Sequence, residues 1–166
     1  MIAGEPDAAR LKQRINYYVR TNKLLNLRRG IYAKDNYSPE ELACKVYTPS
    51  YISLEYVLQK AGAVFQYSPV ITVVSYLSRK IIVDNHQIQY RKIKDLSLYN
   101  PAGIAMNDAG VSMASPERAL SDKIYLDREC HLDTTNVFRK DKLMKLFNVY
   151  RSPRVEKSTL KMLTNA

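Results

Sequence analysis

Residues 7–33 read DAARLKQRINYYVRTNKLLNLRRGIYA, and their periodicity changes part-way along. At about 100° per residue, Ala8, Leu11, Ile15, Tyr18, Val19 and Asn22 fall on one side, an apolar stripe of helical period. Arg10, Gln13, Arg14, Tyr17, Arg20 and Thr21 fall on the other. Asp7, which follows Pro6, is placed to cap the helix, because its carboxylate can accept from an amide of the first turn. After Lys23 the pattern becomes Leu24-Leu25-Asn26-Leu27, Arg28-Arg29-Gly30 and Ile31-Tyr32-Ala33. That predicts two short strands around a tight reversal, with both arginines at its tip.

A basic helix running straight into a basic hairpin is the arrangement with which a winged helix meets nucleic acid. On this reading Arg10, Gln13, Arg14, Tyr17 and Arg20 face the major groove, and Arg28 and Arg29 reach phosphate or the minor groove. An ordinary solvated amphipathic helix followed by a hairpin has the same pattern, since long cationic side chains cover many exposed faces.

The 26 basic and 16 acidic residues give a net charge of +10, unevenly spread. Residues 1–34 carry +6, residues 79–94 carry +4 and residues 134–166 carry +6, separated by segments of −2 and −4. A polyanion would be steered to particular faces. Two cysteines, Cys44 and Cys130, make neither a metal pair nor a disulfide framework and suit a reducing cytoplasm. No secretory signal is evident, and apolar runs such as Val70 to Val74 are strand-sized, too short for a bilayer.

Further along, Ser38-Pro39-Glu40-Glu41 is a capping box that predicts a helix from Pro39 to about Val46. Ser50-Tyr51-Ile52-Ser53 is read as the lead into a second helix carrying Leu54, Val57, Leu58 and Ala61 and closed by Gly62, so that the two form a helix pair. Val70 to Ser75 reads as a buried strand. Lys80 to Val83 and Gln87 to Ile93 read as a hairpin turning at Asp84-Asn85-His86. Gly103 to Ala114 supplies one or two more strands, with a turn at Asn107-Asp108 and Gly110. Ser115-Pro116-Glu117 caps a helix on which Arg118 and Asp122 are spaced for an exposed ion pair. A helix from about Asn136 to Tyr150 buries Leu143, Leu146, Phe147 and Tyr150, and another starts at Ser152-Pro153. The expected class is α+β: a partial winged helix over residues 1–34, then, over 35–166, the helix pair, a small mainly antiparallel sheet and C-terminal helices.

Constellations for catalysis are scarce. The histidines are His86, in a turn, and His131, beside Cys130; Cys130-His131 reads as an ordinary dipeptide in the absence of a second ligand pair at metal spacing. The glycines are too dispersed for a phosphate-cradling loop. Glu117, Asp122, Asp127 and Glu129 cluster as a magnesium site would, but acids in a first helical turn and an acid paired with Arg118 account for them without a metal. Among the tyrosines, Tyr18, Tyr47 and Tyr150 lie on apolar faces and are expected in the core, while Tyr17 and Tyr32 are candidates for nucleic-acid contact.

In order, Leu24 to Tyr32 (LLNLRRGIY), Tyr51 to Glu55 (YISLE), Gly62, Ile71 to Val74 and Ala114 to Asp122 (ASPERALSD) resemble the AbiEi-type antitoxin family of abortive-infection systems. The resemblance spans most of the chain. It implies an N-terminal winged helix that represses its own operon by binding operator DNA, and a C-terminal domain responsible for antitoxin action over residues 35–166. It also implies a nucleotidyltransferase-like toxin neutralised without a stable complex. A winged helix-turn-helix has about three helices before its wing; only six residues precede the helix here, so the chain is expected to be trimmed or to start inside the module. The expectation is therefore a cytoplasmic, non-enzymatic antitoxin and operon autorepressor without cofactor, metal or membrane association. The alternative is an interaction module that does not bind DNA and counters the toxin, through shared RNA in one form of that reading.

Overall fold

The computed structural model describes residues 7–127 and 130–164, and the chain divides into two compact units, Met1–Ser38 and Pro39–Ala166. Among the described residues there are seven helices and eight strands, and no helix is long and apolar enough to cross a membrane.

The first unit holds α1 (Ala8–Arg20), β1 (Leu25–Arg28) and β2 (Ile31–Ala33). Asp7 caps α1, its carboxylate accepting the Ala9 amide at 2.9 Å. The helix ends two residues before Asn22, which the periodic reading had placed on its stripe. Asn22 takes a left-handed φ of 54°, and the Asn22 and Lys23 amides turn back to the Val19 and Tyr18 carbonyls at 3.1 and 2.8 Å. This is a Schellman closure, in which asparagine tolerates the conformation that glycine usually supplies. The strands pair antiparallel, with a bulge between Asn26 and Arg28. Arg28 lies opposite Ile31, so Arg29 and Gly30 alone form the turn, and Gly30 takes at its second position a left-handed φ of +82°, open to glycine without steric cost. No described residue of this unit is fully buried; Leu11, Ile15, Tyr18 and Val19 are half-buried.

The second unit carries the core. It runs α2 (Pro39–Val46), β3 (Ser50–Ile52), α3 (Glu55–Lys60), β4 (Ile71–Ser75), β5 (Arg79–Val83), β6 (His86–Lys92), α4 (Asp95–Leu98), β7 (Ile104–Met106), β8 (Ser112–Ala114), α5 (Pro116–Leu126), α6 (Lys140–Tyr150) and α7 (Pro153–Thr164). One six-stranded sheet has the order β5-β6-β4-β3-β8-β7. Its pairings β4/β6 and β3/β8 are parallel and the other three antiparallel, so the sheet is mixed. The expected helix pair is in fact helix, strand, helix: Ser50–Ile52 is held between β4 and β8. A three-residue strand has no signal of its own and exists because two neighbours supply its hydrogen bonds.

Alternation along the strands assigns the two faces of the sheet. Tyr90, opposite Val73, donates to the Ala43 carbonyl of α2 at 2.7 Å. Tyr51 and Arg91, both opposite Val74, reach from the other face to Asp122 of α5 and to Asp127 just after it. Helix α5 is thus enclosed between the sheet and the packed pair α6 and α7, and Ala119, Leu120, Ser121 and Ile124 are essentially inaccessible. On α6 the buried side chains are Leu143, Leu146, Val149 and Tyr150; Phe147, expected inside, is half-buried.

Gly103 makes the closest approach to α5. Its φ is +73°, and a Cβ there would stand 2.9 Å from the Arg118 Cβ and 3.2 Å from Leu146 Cδ2. Gly62 has a similar φ of +76° with open space around it. Both alanine variants incur the left-handed penalty, about 1 kcal/mol, and Gly103→Ala adds an overpacking cost of about 1–3 kcal/mol. Urea unfolding of the two variants should therefore place Gly103→Ala well below Gly62→Ala; equal losses would contradict the contact.

Candidate nucleic-acid interface and the buried polar cluster

In the first unit, the exposed arc of α1 carries Arg10, Gln13, Arg14, Tyr17 and Arg20. Arg10 lies 3.7 Å from Asp7 in a solvent-exposed i, i+3 pair, an interaction that leaves its guanidinium accessible. Tyr17 is 54% exposed, its ring 5.8 Å from that of half-buried Tyr18, and Tyr32 on β2 is 39% exposed. At the hairpin only Arg29 is exposed on the turn; Arg28, expected beside it at the tip, pairs opposite Ile31 and is half-buried at the end of β1. Helix geometry alone puts the five side chains of α1 along one arc, because positions 10, 13, 14, 17 and 20 recur at intervals of three and four.

In the second unit, Arg118 and Asp122, expected as an exposed ion pair, are fully inaccessible with Nε 3.4 Å from Oδ1. The helical spacing was right and the environment was not, since α5 is covered on every side. Asp122 accepts from Tyr51 Oη at 3.1 Å and Tyr150 Oη at 2.6 Å through Oδ1, and from Ser53 Oγ at 2.7 Å through Oδ2. Arg118 Nη1 donates to the Ala102 and Asn100 carbonyls at 2.9 and 3.4 Å; Nη2 donates to the Ser97 carbonyl at 2.6 Å and to Tyr51 Oη at 3.0 Å. The guanidinium also stands 5.4 and 5.3 Å from the Tyr51 and Tyr150 ring centres. Complete burial pushes the Asp122 carboxyl upward, while Arg118 and the three hydroxyls pull the other way. Burial and the Asp122 charge hold the Tyr51 and Tyr150 phenols far above their ordinary range, so both stay protonated and donate.

The other acids read as a cluster take separate partners. Glu117, nearly inaccessible, accepts the Arg139 amide at 3.2 Å. Asp127 is gripped by Arg91 at 2.5 and 3.3 Å and by Lys123 at 2.7 Å; Glu129 lies outside the described residues. Cys130 and exposed His131 line an open cleft of about 730 Å³ with Thr134, Ser158 and Lys161, and burial raises the Cys130 thiol to about 11. Of the tyrosines expected in the core, Tyr150 is buried and Tyr47 is half-buried edge-on to Tyr90. Sequence reasoning missed Tyr51 and Ser53 as partners of Asp122. They lie about 70 residues away, and no local period signals them.

No protein-family model matches the chain, and neither a curated protein nor a solved structure does.

Removing one member of a buried ion pair strands the other charge, so Asp122→Ala should cost about 3–5 kcal/mol of stability in denaturant unfolding. Arg118→Met combined with Asp122→Leu should lose less than the sum of the two single replacements. Additive losses would mean that the pair is not coupled.

The Asp127 carboxyl sits below its ordinary range, chiefly through the Arg91 hydrogen bonds and with help from Lys123. A depressed folded-state pKa stabilises fully above the unfolded value of about 3.9 and stops doing so as pH falls through the folded value. Asp127→Asn should accordingly flatten the loss of stability between about pH 5 and pH 2 relative to the parent chain. Parallel curves would refute this assignment.

Proposed function

We propose that this chain is a non-enzymatic DNA-binding regulator and antitoxin of the AbiEi type, acting on DNA through its first unit. The observation that carries the DNA reading is the exposed arc of α1, where Arg10, Gln13, Arg14, Tyr17 and Arg20 lie together on a helix followed by a hairpin bearing Arg28 and Arg29. Guanidinium and amide groups on such a helix can address base edges, and the hairpin arginines suit phosphate or a narrow minor groove. The antitoxin part rests on the resemblance of the YISLE and ASPERALSD segments to that family, with a nucleotidyltransferase-like toxin as functional partner. The cytoplasm is where both roles belong.

Because no described residue of the first unit is fully buried, its helix has little packing to fix it in a groove. Binding is therefore mainly electrostatic, with small sequence preference. A second reading, an interaction module that counters the toxin without binding DNA, draws on the same observation, since the second unit holds all of the buried core among the described residues.

Fluorescence anisotropy with the operon's own promoter duplex tests the first reading. Affinity should fall steeply with salt, with a log-log slope of about 0.9 per phosphate neutralised. Joint replacement of Arg28 and Arg29 by alanine should reduce that slope by about two units, and Gln13→Ala should change affinity only if a base edge is read. Deleting residues 1–34 should abolish promoter repression while leaving rescue of growth from the toxin. Binding that is absent or insensitive to salt, with rescue intact, would favour the second reading; loss of both activities together would count against the division of labour.

A further inference from the structure

The second unit presents an open sheet edge that the DNA reading leaves unused. β5 is the terminal strand of the six-stranded sheet, and it pairs with β6 five residues against five, from Arg79 opposite Tyr90 to Val83 opposite His86, without a bulge. No described strand pairs with its other side, where every second residue points its amide and carbonyl away from β6. Neither proline nor bulge blunts that edge, and Ile82 is 70% exposed. The opposite edge, β7, is only three residues long.

We propose that the outer edge of β5 binds an extended acidic segment of another protein as an added strand. In strand addition the backbone supplies affinity, and side chains flanking the edge supply selection. Here the selection is by charge and apolar contact. Arg79 and Lys80 are exposed at consecutive positions and so flank the edge on opposite faces. Lys80 and Ile82 share a face with Gln87 and Gln89 of β6, and with Val70 they line a groove of about 500 Å³. A segment placing acids opposite Arg79 and Lys80 and apolar residues opposite Ile81 and Ile82 matches the four positions from Arg79 to Ile82. The same cations disfavour an in-register parallel pairing with a second copy of this chain, and an antiparallel one would respond to chain concentration in the test below. They do not favour a polynucleotide: Arg91, the other cation of the groove face, is held by Asp127, and a polynucleotide has no peptide groups to extend the sheet.

The probe is a blocked peptide, acetyl-Ser-Thr-Val-Val-Glu-Glu-Ser-amide, titrated into the full chain and followed by backbone amide NMR shifts and hydrogen exchange. Shifts and slowed exchange should concentrate on Arg79–Val83, with alternate amides protected. Joint Arg79→Glu and Lys80→Glu replacement, at two exposed positions, should weaken binding about tenfold and transfer preference to the peptide with lysines in place of glutamates. Affinity unchanged by the reversal, or shifts centred elsewhere, would overturn the proposal. So would the same amides responding more strongly to oligouridylate, or to chain concentration without peptide.

Discussion

The fixed point of the second unit is the contact between Arg118 and Asp122 inside α5. Two opposite charges have been taken wholly out of water, a state that persists only where further partners replace hydration. Those partners come from four other parts of the chain: Tyr51 and Ser53 on and after β3, the Ser97 carbonyl in α4, the Asn100 and Ala102 carbonyls after it, and Tyr150 at the end of α6. Together they supply the hydrogen bonds of the carboxylate and of both Nη groups, while Nε meets only Asp122 Oδ1 at 3.4 Å. The pair therefore acts as a geometric constraint on where β3, α4 and α6 stand around α5, whatever its net contribution to stability.

That constraint explains features that look independent. Gly103 is needed because the loop that offers carbonyls to Arg118 passes within van der Waals contact of its Cβ. Ser115 caps α5 by accepting the Arg118 amide at 3.2 Å, so the start of the helix and the position of the guanidinium are set by neighbouring bonds of one residue. The motif ASPERALSD thus combines a cap, the buried Glu117 and both members of the ion pair.

The two units differ in how much charge they bury. The second encloses Arg118 and Asp122 among hydrogen-bonding groups and ties Arg91 and Lys123 to Asp127 and Glu55, while Arg79, Lys80, Lys140 and Lys142 stay exposed. The first has no buried residue among those described and keeps its arginines at or near the surface, where their Coulomb interactions are weak and screened by salt.

Local chemistry determined much of this from sequence. The Asp7 and Ser115 caps and the Pro39–Val46 helix are set by residues within a turn of one another, as is the presence of a reversal before Ile31, although strand pairing takes Arg28 out of the turn and into β1. Helical spacing likewise determined the exposed arc of α1 and the pairing of Arg118 with Asp122. Tertiary structure decided what lies beyond one turn. It made Ser50–Ile52 a strand rather than the entry to a helix, because its hydrogen bonds come from β4 and β8. It made the sheet mixed, and it put the ion pair inside rather than outside. An i, i+4 pair reads identically on a solvated or an enclosed helix, and only the residues that cover it, from Tyr51 to Tyr150, settle which one it is.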